Sequence, residues 1–106
     1  MIFQLSAALL DACVLAILSR EDAYGYILTQ HVKELVNISE STLYPVLRRL
    51  QKDDCLMTYD KEFQGRNRRY YALTDLGKAK LNYYLEEWNL YKSKLDDILL
   101  GGNING

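Results

Sequence analysis

The chain has 106 residues, enough for one modest hydrophobic core and too few for two domains. Apolar residues make up 49% and charged residues 25% of it, which excludes an intrinsically disordered composition. Thirteen Lys and Arg stand against fourteen Asp and Glu, so the chain is no polycation and any contact with nucleic acid has to come from a local patch.

No apolar run approaches the roughly 20 residues that span a bilayer, so no membrane segment is expected. The opening MIFQLSAALLDAC has neither a basic start nor a small-residue cleavage site, and it runs straight into a helical pattern. Two cysteines, Cys13 and Cys55, supply no disulfide framework, which suits a reducing cytoplasm. With one proline, Pro45, and no Ser/Gly-rich linker, the chain reads as one unit. Its expected parts are a segment 1–73, a final helix 74–100 and a disordered tail 101–106 of sequence GGNING.

Residues 5–19 predict an apolar helix with Leu5, Ala8, Leu9, Ala12, Leu15 and Ala16 at helical spacing. Ser19–Asp22 is a polar break, and Asp22 is the expected cap of a second helix over about 23–36. That helix carries Tyr24, Ile27, Leu28, Val32 and Leu35 on one face, and Asn37 suits its end because Asn tolerates a left-handed backbone. A third helix over 39–53 has a buried stripe of Leu43, Val46, Leu47 and Leu50. Ser39 or Ser41 caps it, and a cap at Ser41 places Pro45 nearer the first turn, where its missing N–H costs least.

From Leu56 the pattern changes. Met57–Tyr59 and Arg69–Leu73 favour strands and flank a polar loop, which predicts a hairpin with its tip around Gln64-Gly65-Arg66-Asn67. Two strands alone are marginal, so the hairpin has to pack on the helices. Thr74 then caps a long helix to about Leu99, whose Leu81, Tyr84, Trp88, Tyr91, Leu95 and Ile98 alternate in steps of three and four, the spacing of a helix packed on another helix. The order helix, helix, helix, hairpin, helix predicts a mainly α fold with an α+β wing: a winged helix-turn-helix with a long C-terminal dimerisation helix.

On the third helix the stripe leaves Ser41, Thr42, Tyr44, Pro45, Arg48, Arg49 and Lys52 for solvent. Hydroxyls, an aromatic, an apolar ring and cations are the groups that read a major groove and hold phosphates. The hairpin adds Arg66, Arg68 and Arg69. Between residues 48 and 69, seven basic residues face four acidic ones, while the rest of the chain has six basic against ten acidic. A neutral total thus hides a positive side, the footprint expected for double-stranded DNA. A monomer of this size has little core left for Tyr84, Trp88, Tyr91, Leu95 and Ile98, so a second copy is the expected cover, with the first helix able to join the interface. A two-fold homodimer sets two recognition helices about one DNA turn apart.

Other polar features read as bland. His31, the lone histidine, has no ligand-spaced companion; Cys13 lies among apolar residues, and Cys55 follows two aspartates that quieten it. Glu86-Glu87 and Asp96-Asp97 are adjacent on a helix and point apart. No phosphate loop, nucleophile elbow or zinc spacing occurs, so neither catalysis nor a cofactor or metal is expected.

Three stretches, Tyr24-Gly25-Tyr26, Ser41-Thr42-Leu43-Tyr44-Pro45-Val46-Leu47-Arg48-Arg49-Leu50 and Arg69-Tyr70-Tyr71-Ala72-Leu73-Thr74-Asp75-Leu76-Gly77, with Trp88 beyond, resemble the PadR-like transcriptional regulators, in particular their short multidrug-sensing subgroup. The resemblance covers about residues 5–99. It implies a homodimeric winged-helix repressor with Ser41, Thr42, Tyr44 and Pro45 at the groove and the wing arginines on the DNA backbone. It also implies that Trp88 stacks on a small flat aromatic effector at the dimer centre, in a cavity lined by Leu5, Ala8, Ala12, Asn89 and Lys92, the last disfavouring cationic guests. Asp54 departs from the family pattern, standing where a glycine is usual, so it has to make a left-handed turn itself. Two rival readings are a regulator controlled by oxidation of Cys13 and a winged-helix module that binds protein.

Overall fold

In the computed structural model, which describes residues 3–101, Ser6 is in extended backbone and its hydroxyl accepts the Leu9 N–H at 3.1 Å, starting α1 (Ala7–Arg20). This helix buries Leu10, Val14, Leu15 and Leu18, together with the carboxylate of Asp11. Of the face expected from sequence only Leu15 is fully buried; Leu5, Leu9, Ala12 and Ala16 are half-buried and Ala8 is exposed. A helix apolar on nearly all sides gives helical periodicity nothing to select, so tertiary packing decides which side goes in.

The next elements depart from expectation at their boundary. Ala23–Tyr24 forms a short strand, β1, and α2 (Gly25–Val36) starts after it with Tyr24 as a cap residue that gives no side-chain hydrogen bond. Asp22 is therefore not the cap; its carboxylate accepts the Tyr59 hydroxyl at 2.7 Å. α2 buries Leu28, Thr29 and Val32, whereas Ile27 and Leu35 are more than half exposed. Asn37 ends the helix as expected, at φ 51° with its N–H on the Lys33 carbonyl at 2.8 Å.

Ser39 caps α3 (Glu40–Lys52), accepting the Thr42 N–H at 3.3 Å. Pro45 then lies inside the helix, beyond the first turn, and its missing N–H leaves the Ser41 carbonyl without a helical donor. The expected stripe of Leu43, Val46, Leu47 and Leu50 is buried in full. Asp54 takes φ 61° in the turn that follows, the left-handed conformation its position demands.

β2 (Leu56–Phe63) and β3 (Arg66–Leu73) form an antiparallel hairpin, and β1 joins β3 on the other side, giving the order β1-β3-β2. The strands run further than expected, with Phe63 opposite Arg66, because Gln64 and Gly65 alone close the turn at φ 51° and 79°. Two consecutive left-handed residues match the twist of the flanking strands. Arg66 and Arg68 thus join Arg69 in β3.

Thr74 docks α4 (Asp75–Leu100) onto the turn before β2: its N–H donates to the Cys55 carbonyl at 3.1 Å, its hydroxyl donates to the Asp54 carbonyl at 2.6 Å, and the same oxygen accepts the Gly77 N–H at 3.0 Å. Leu81 enters the core and Tyr84 packs against it; further along, α4 leaves the body of the protein. The Cα radius of gyration is 16.3 Å, against about 13 Å for a globule of this length. Gly101 ends the helix in a left-handed cap, and the rest of the expected tail, 102–106, lies outside the described residues.

Gly77 is where α4 presses on the turn at Cys55. A Cβ there would overlap the Cys55 carbonyl oxygen and crowd the Leu73 side chain. Alanine gains about 1 kcal/mol of helix propensity, and overpacking against backbone costs about 1–3 kcal/mol. Gly77→Ala should therefore unfold at lower urea concentration than the parent, despite the better helix former, and equal or higher stability would show that the approach is not tight.

Candidate nucleic-acid interface and effector groove

All seven residues expected on the outer face of α3 are exposed. They form two rows. Ser41, Tyr44, Pro45, Arg48 and Lys52 follow one another along the helix and point outward together. Thr42 and Arg49 lie on the flank: the Thr42 hydroxyl is 3.0 Å from that of Ser39 at the helix start, and Arg49 reaches inward to α1. Among the described residues, Arg49 is the one member of the expected DNA-contacting set whose guanidinium is held by a buried carboxylate. Its Nη2 is 2.5 Å from Asp11 Oδ1 and its Nη1 is 3.0 Å from Oδ2, a bidentate pair on a carboxylate that is 4% exposed.

The wing arginines also divide. Arg66 flanks the turn and is exposed. The Arg68 guanidinium is sandwiched between the rings of Tyr24 and Phe63, at 4.6 and 4.5 Å from their centroids, with its Nε buried and unpaired. Arg69 points to the opposite face and is 3.7 Å from Asp60, its cross-strand partner. Next to the Arg68 sandwich, Tyr59 stacks on Tyr70 with 8° between the rings, Tyr24 packs against Tyr70, and Lys61 lies over the Tyr70 ring. The wing cations thus have separate roles: Arg68 holds the hairpin to β1, Lys61 covers the Tyr70 ring, and Arg66 presents charge beside the turn. Among the described residues, Arg48, Lys52 and Arg66 form no ion pair within the chain.

α4 carries the expected apolar row in two parts. Leu81 and Tyr84 are used inside the chain, Leu81 in the core and Tyr84 half-buried against α1, because this end of the helix lies over the body of the protein. Trp88, Tyr91 and Ile98 are 41%, 54% and 67% exposed, and Leu95 is half-buried. Between α1 and α4 runs a groove of about 360 Å³, with walls of Gln4, Ser6, Ala8, Leu9, Ala12, Tyr84, Glu87, Trp88 and Tyr91. Of the residues that the resemblance puts around an effector, Ala8, Ala12 and Trp88 line this groove. Leu5 does not: it lines a second cleft, of about 330 Å³, with Phe3, Val36 and Ile38 at the start of α3. Asn89 and Lys92 do not line the groove either, since 84, 87, 88 and 91 make one helical stripe and 89 and 92 sit on its flank.

Two functional features escape the sequence reading. Glu87 brings a carboxylate to the groove, signalled only by its position one turn before Tyr91. Asp11 is the other: a single carboxylate in the run SAALLDACVLAIL, 3% exposed, and so in need of donors from elsewhere in the fold. The Tyr84 hydroxyl supplies a third one, donating to Asp11 Oδ2 at 3.2 Å. Burial pushes the Asp11 carboxyl above its ordinary value, and Arg49, Tyr84 and Lys80 pull back only part of that rise. Burial, together with the facing carboxylate, likewise raises the Tyr84 phenol. Burial raises the Cys13 thiol as well, which lowers its thiolate fraction and its reactivity. His31 is exposed, and no group of metal-binding side chains occurs among the described residues. No helix there is long and apolar enough to cross a membrane.

Comparison with known proteins agrees with this architecture. The family model for PadR-like transcriptional regulators matches residues 14–83. Uncharacterized protein X of Lysinibacillus sphaericus is 35% identical over 97 residues, covering 87% of this chain and 89% of its own length. The crystal structure of smu.1704 from Streptococcus mutans UA159 superposes with a TM-score of 0.90 at 45% identity, over 100% of this chain and 99% of that one. A PadR family transcription regulator from Clostridium difficile R20291 does so with a TM-score of 0.78 at 30% identity, over 85% of this chain and 97% of that one. The family model alone spans most of the winged helix and the start of α4, so the chain belongs to the PadR-like family of transcriptional regulators, which act by binding DNA and are not enzymes.

Proposed function

We propose that the chain works in the cytoplasm as a homodimeric repressor of the short multidrug-sensing kind. It binds a pseudo-palindromic operator and releases it when a small flat aromatic molecule enters the α1–α4 groove. The observation that carries this reading is the coincidence, on one helix, of an uncovered apolar face and an aromatic-walled groove: Trp88 and Tyr91 belong to both. Exposed large apolar side chains in a contiguous row favour a partner of the same kind. Tyr91, Leu95 and Ile98 give that row its length. A second copy joined there also sets the outward rows of the two α3 helices side by side for successive turns of the duplex.

The groove's chemistry narrows the effector. Its walls are mainly apolar and aromatic, and its one ionisable carboxylate is Glu87, while Lys92 stands outside it. A neutral or cationic planar molecule fits this balance, the reverse of the exclusion of cations expected from Lys92. Release of DNA then follows from linkage: a guest weakens DNA binding only by favouring the dimer geometry that DNA does not. Control through Cys13 is the less supported alternative, since its burial makes the thiol a poorer nucleophile. A protein-binding module is separated from a DNA reader by salt dependence.

Sedimentation at micromolar concentration should give a single dimeric species, and Tyr91→Glu, which puts a charge into the row, should yield monomers; a monomeric parent would overturn the homodimer. Arg48→Ala and Arg66→Ala should each weaken binding to operator and random duplex alike and reduce the slope of log K against log salt by about one, whereas Tyr44→Ala should chiefly lower preference for the protein's own promoter. Equal salt slopes in all three would remove the cations from the DNA contact. Trp88→Ala, at a concentration where sedimentation shows it dimeric, should retain promoter affinity and lose its response to aromatic compounds, read by fluorescence anisotropy of labelled DNA; a response that survives would place the effector elsewhere.

A further inference from the structure

We infer that Asp11 is a positioning residue that links the groove wall on α4 to the recognition helix α3, by offering one carboxylate oxygen to Tyr84 and Arg49 together. The three groups come from three helices. Asp11 Oδ2 accepts Tyr84 Oη–H at 3.2 Å and Arg49 Nη1–H at 3.0 Å, while Oδ1 accepts Arg49 Nη2–H at 2.5 Å. On the α4 side Tyr84 presents its ring to the groove and carries Lys80 over its face, 5.8 Å from the centroid. On the α3 side Arg49 lies one residue after Arg48 of the outward row, and its bidentate pair with Asp11 ties the helix that presents that row to α1. The Asp11 residue itself is 3% exposed. Water cannot readily replace a lost donor there, and hydrogen bonds that share an acceptor in a poorly screened site affect one another.

Displacement of the Tyr84 ring therefore changes the load on Oδ2 and the hold on Arg49, and movement of α3 on DNA changes Tyr84 in return. Coupling of this kind is reciprocal. The inference deepens the effector reading, because the groove is where a guest would press on Tyr84, yet its test needs no effector. Trp88 is the only tryptophan, on α4 one turn beyond Tyr84, and it reports on the groove.

The experiment titrates the full chain with a duplex of its own promoter, exciting Trp88 selectively, at a protein concentration where sedimentation shows one species before and after DNA is added. The parent should show a saturable change in Trp88 emission that follows DNA binding by anisotropy. Tyr84→Phe keeps the ring and removes the donor; it should bind the duplex within about threefold of the parent and lose more than half of the emission change. Asp11→Asn should show the same loss, and adding Tyr84→Phe to it should subtract nothing further. An unchanged Trp88 emission in the parent, a full change in Tyr84→Phe, or additive losses in the double variant would each overturn the link. A parallel titration with the neutral fluorophore N-phenyl-1-naphthylamine tests the groove separately: absence of binding there sinks the effector reading, while the link through Asp11 stands or falls on the DNA titration alone.

Discussion

A single carboxylate inside an apolar helix constrains more of this fold than any other side chain. α1 runs through the middle of the molecule and contributes four aliphatic side chains to the core, so Asp11, on the same side, cannot reach water without breaking that packing. It has to be met by donors, and the two that meet it come from the helix that carries the outward row of cations and the helix that extends from the body. Hydrophobic burial of Leu10, Val14, Leu15 and Leu18 holds α1 against its neighbours without direction. The Asp11 contacts add direction: a bidentate Arg49 fixes the rotation of α3 about its axis, and the Tyr84 hydroxyl fixes where α4 crosses.

This requirement explains why adjacent arginines on α3 have unlike roles. Arg48 belongs to the outward row and is free to meet phosphate; Arg49 completes the fold. The wing repeats the division, with Arg68 clamped between Tyr24 and Phe63 while Arg66 faces solvent. In both places one cation makes the element rigid so that its neighbour is presented in a fixed position. A DNA-reading surface benefits from that, because side chains already held in place lose less entropy on binding.

Local features are legible in the sequence, and relational ones are concealed. The α3 stripe stands out because four apolar residues interrupt an otherwise polar helix, and the ends at Asn37 and Thr74 follow from what those side chains do to their own backbone, while the left-handed turn at Asp54 follows from the family resemblance. The buried side of α1 is not readable, since Ala8, Leu9 and Ala12 are as apolar as Leu10 and Val14. β1 is two residues long and exists only by pairing with Tyr70 and Tyr71, far along the chain. The roles of Asp11, Arg49 and Arg68 depend on partners separated by as many as tens of residues, which no local pattern encodes. Of the groove, Ala8, Ala12 and Trp88 follow from the family resemblance, and Glu87 enters only once the rotation of α4 about its axis is known.

That rotation has a consequence for how such a protein can be regulated. Leu81 and Tyr84 tie the first part of α4 to the core, whereas Trp88, Tyr91 and Ile98, on the same helix, remain for a partner. One rigid helix then reports to two environments, and under the proposed function a guest that changes how a second copy sits on the distal part acts through the lever of the proximal part. A groove placed between these two regions needs no long pathway to influence DNA binding. On the inferred link, a displacement of the helix at Trp88 is felt one turn away at Tyr84, and from there at a carboxylate that already holds α3. The difference in free energy that such a shift requires is small beside the interactions it redistributes, since coupling between sites typically amounts to about 1–3 kcal/mol.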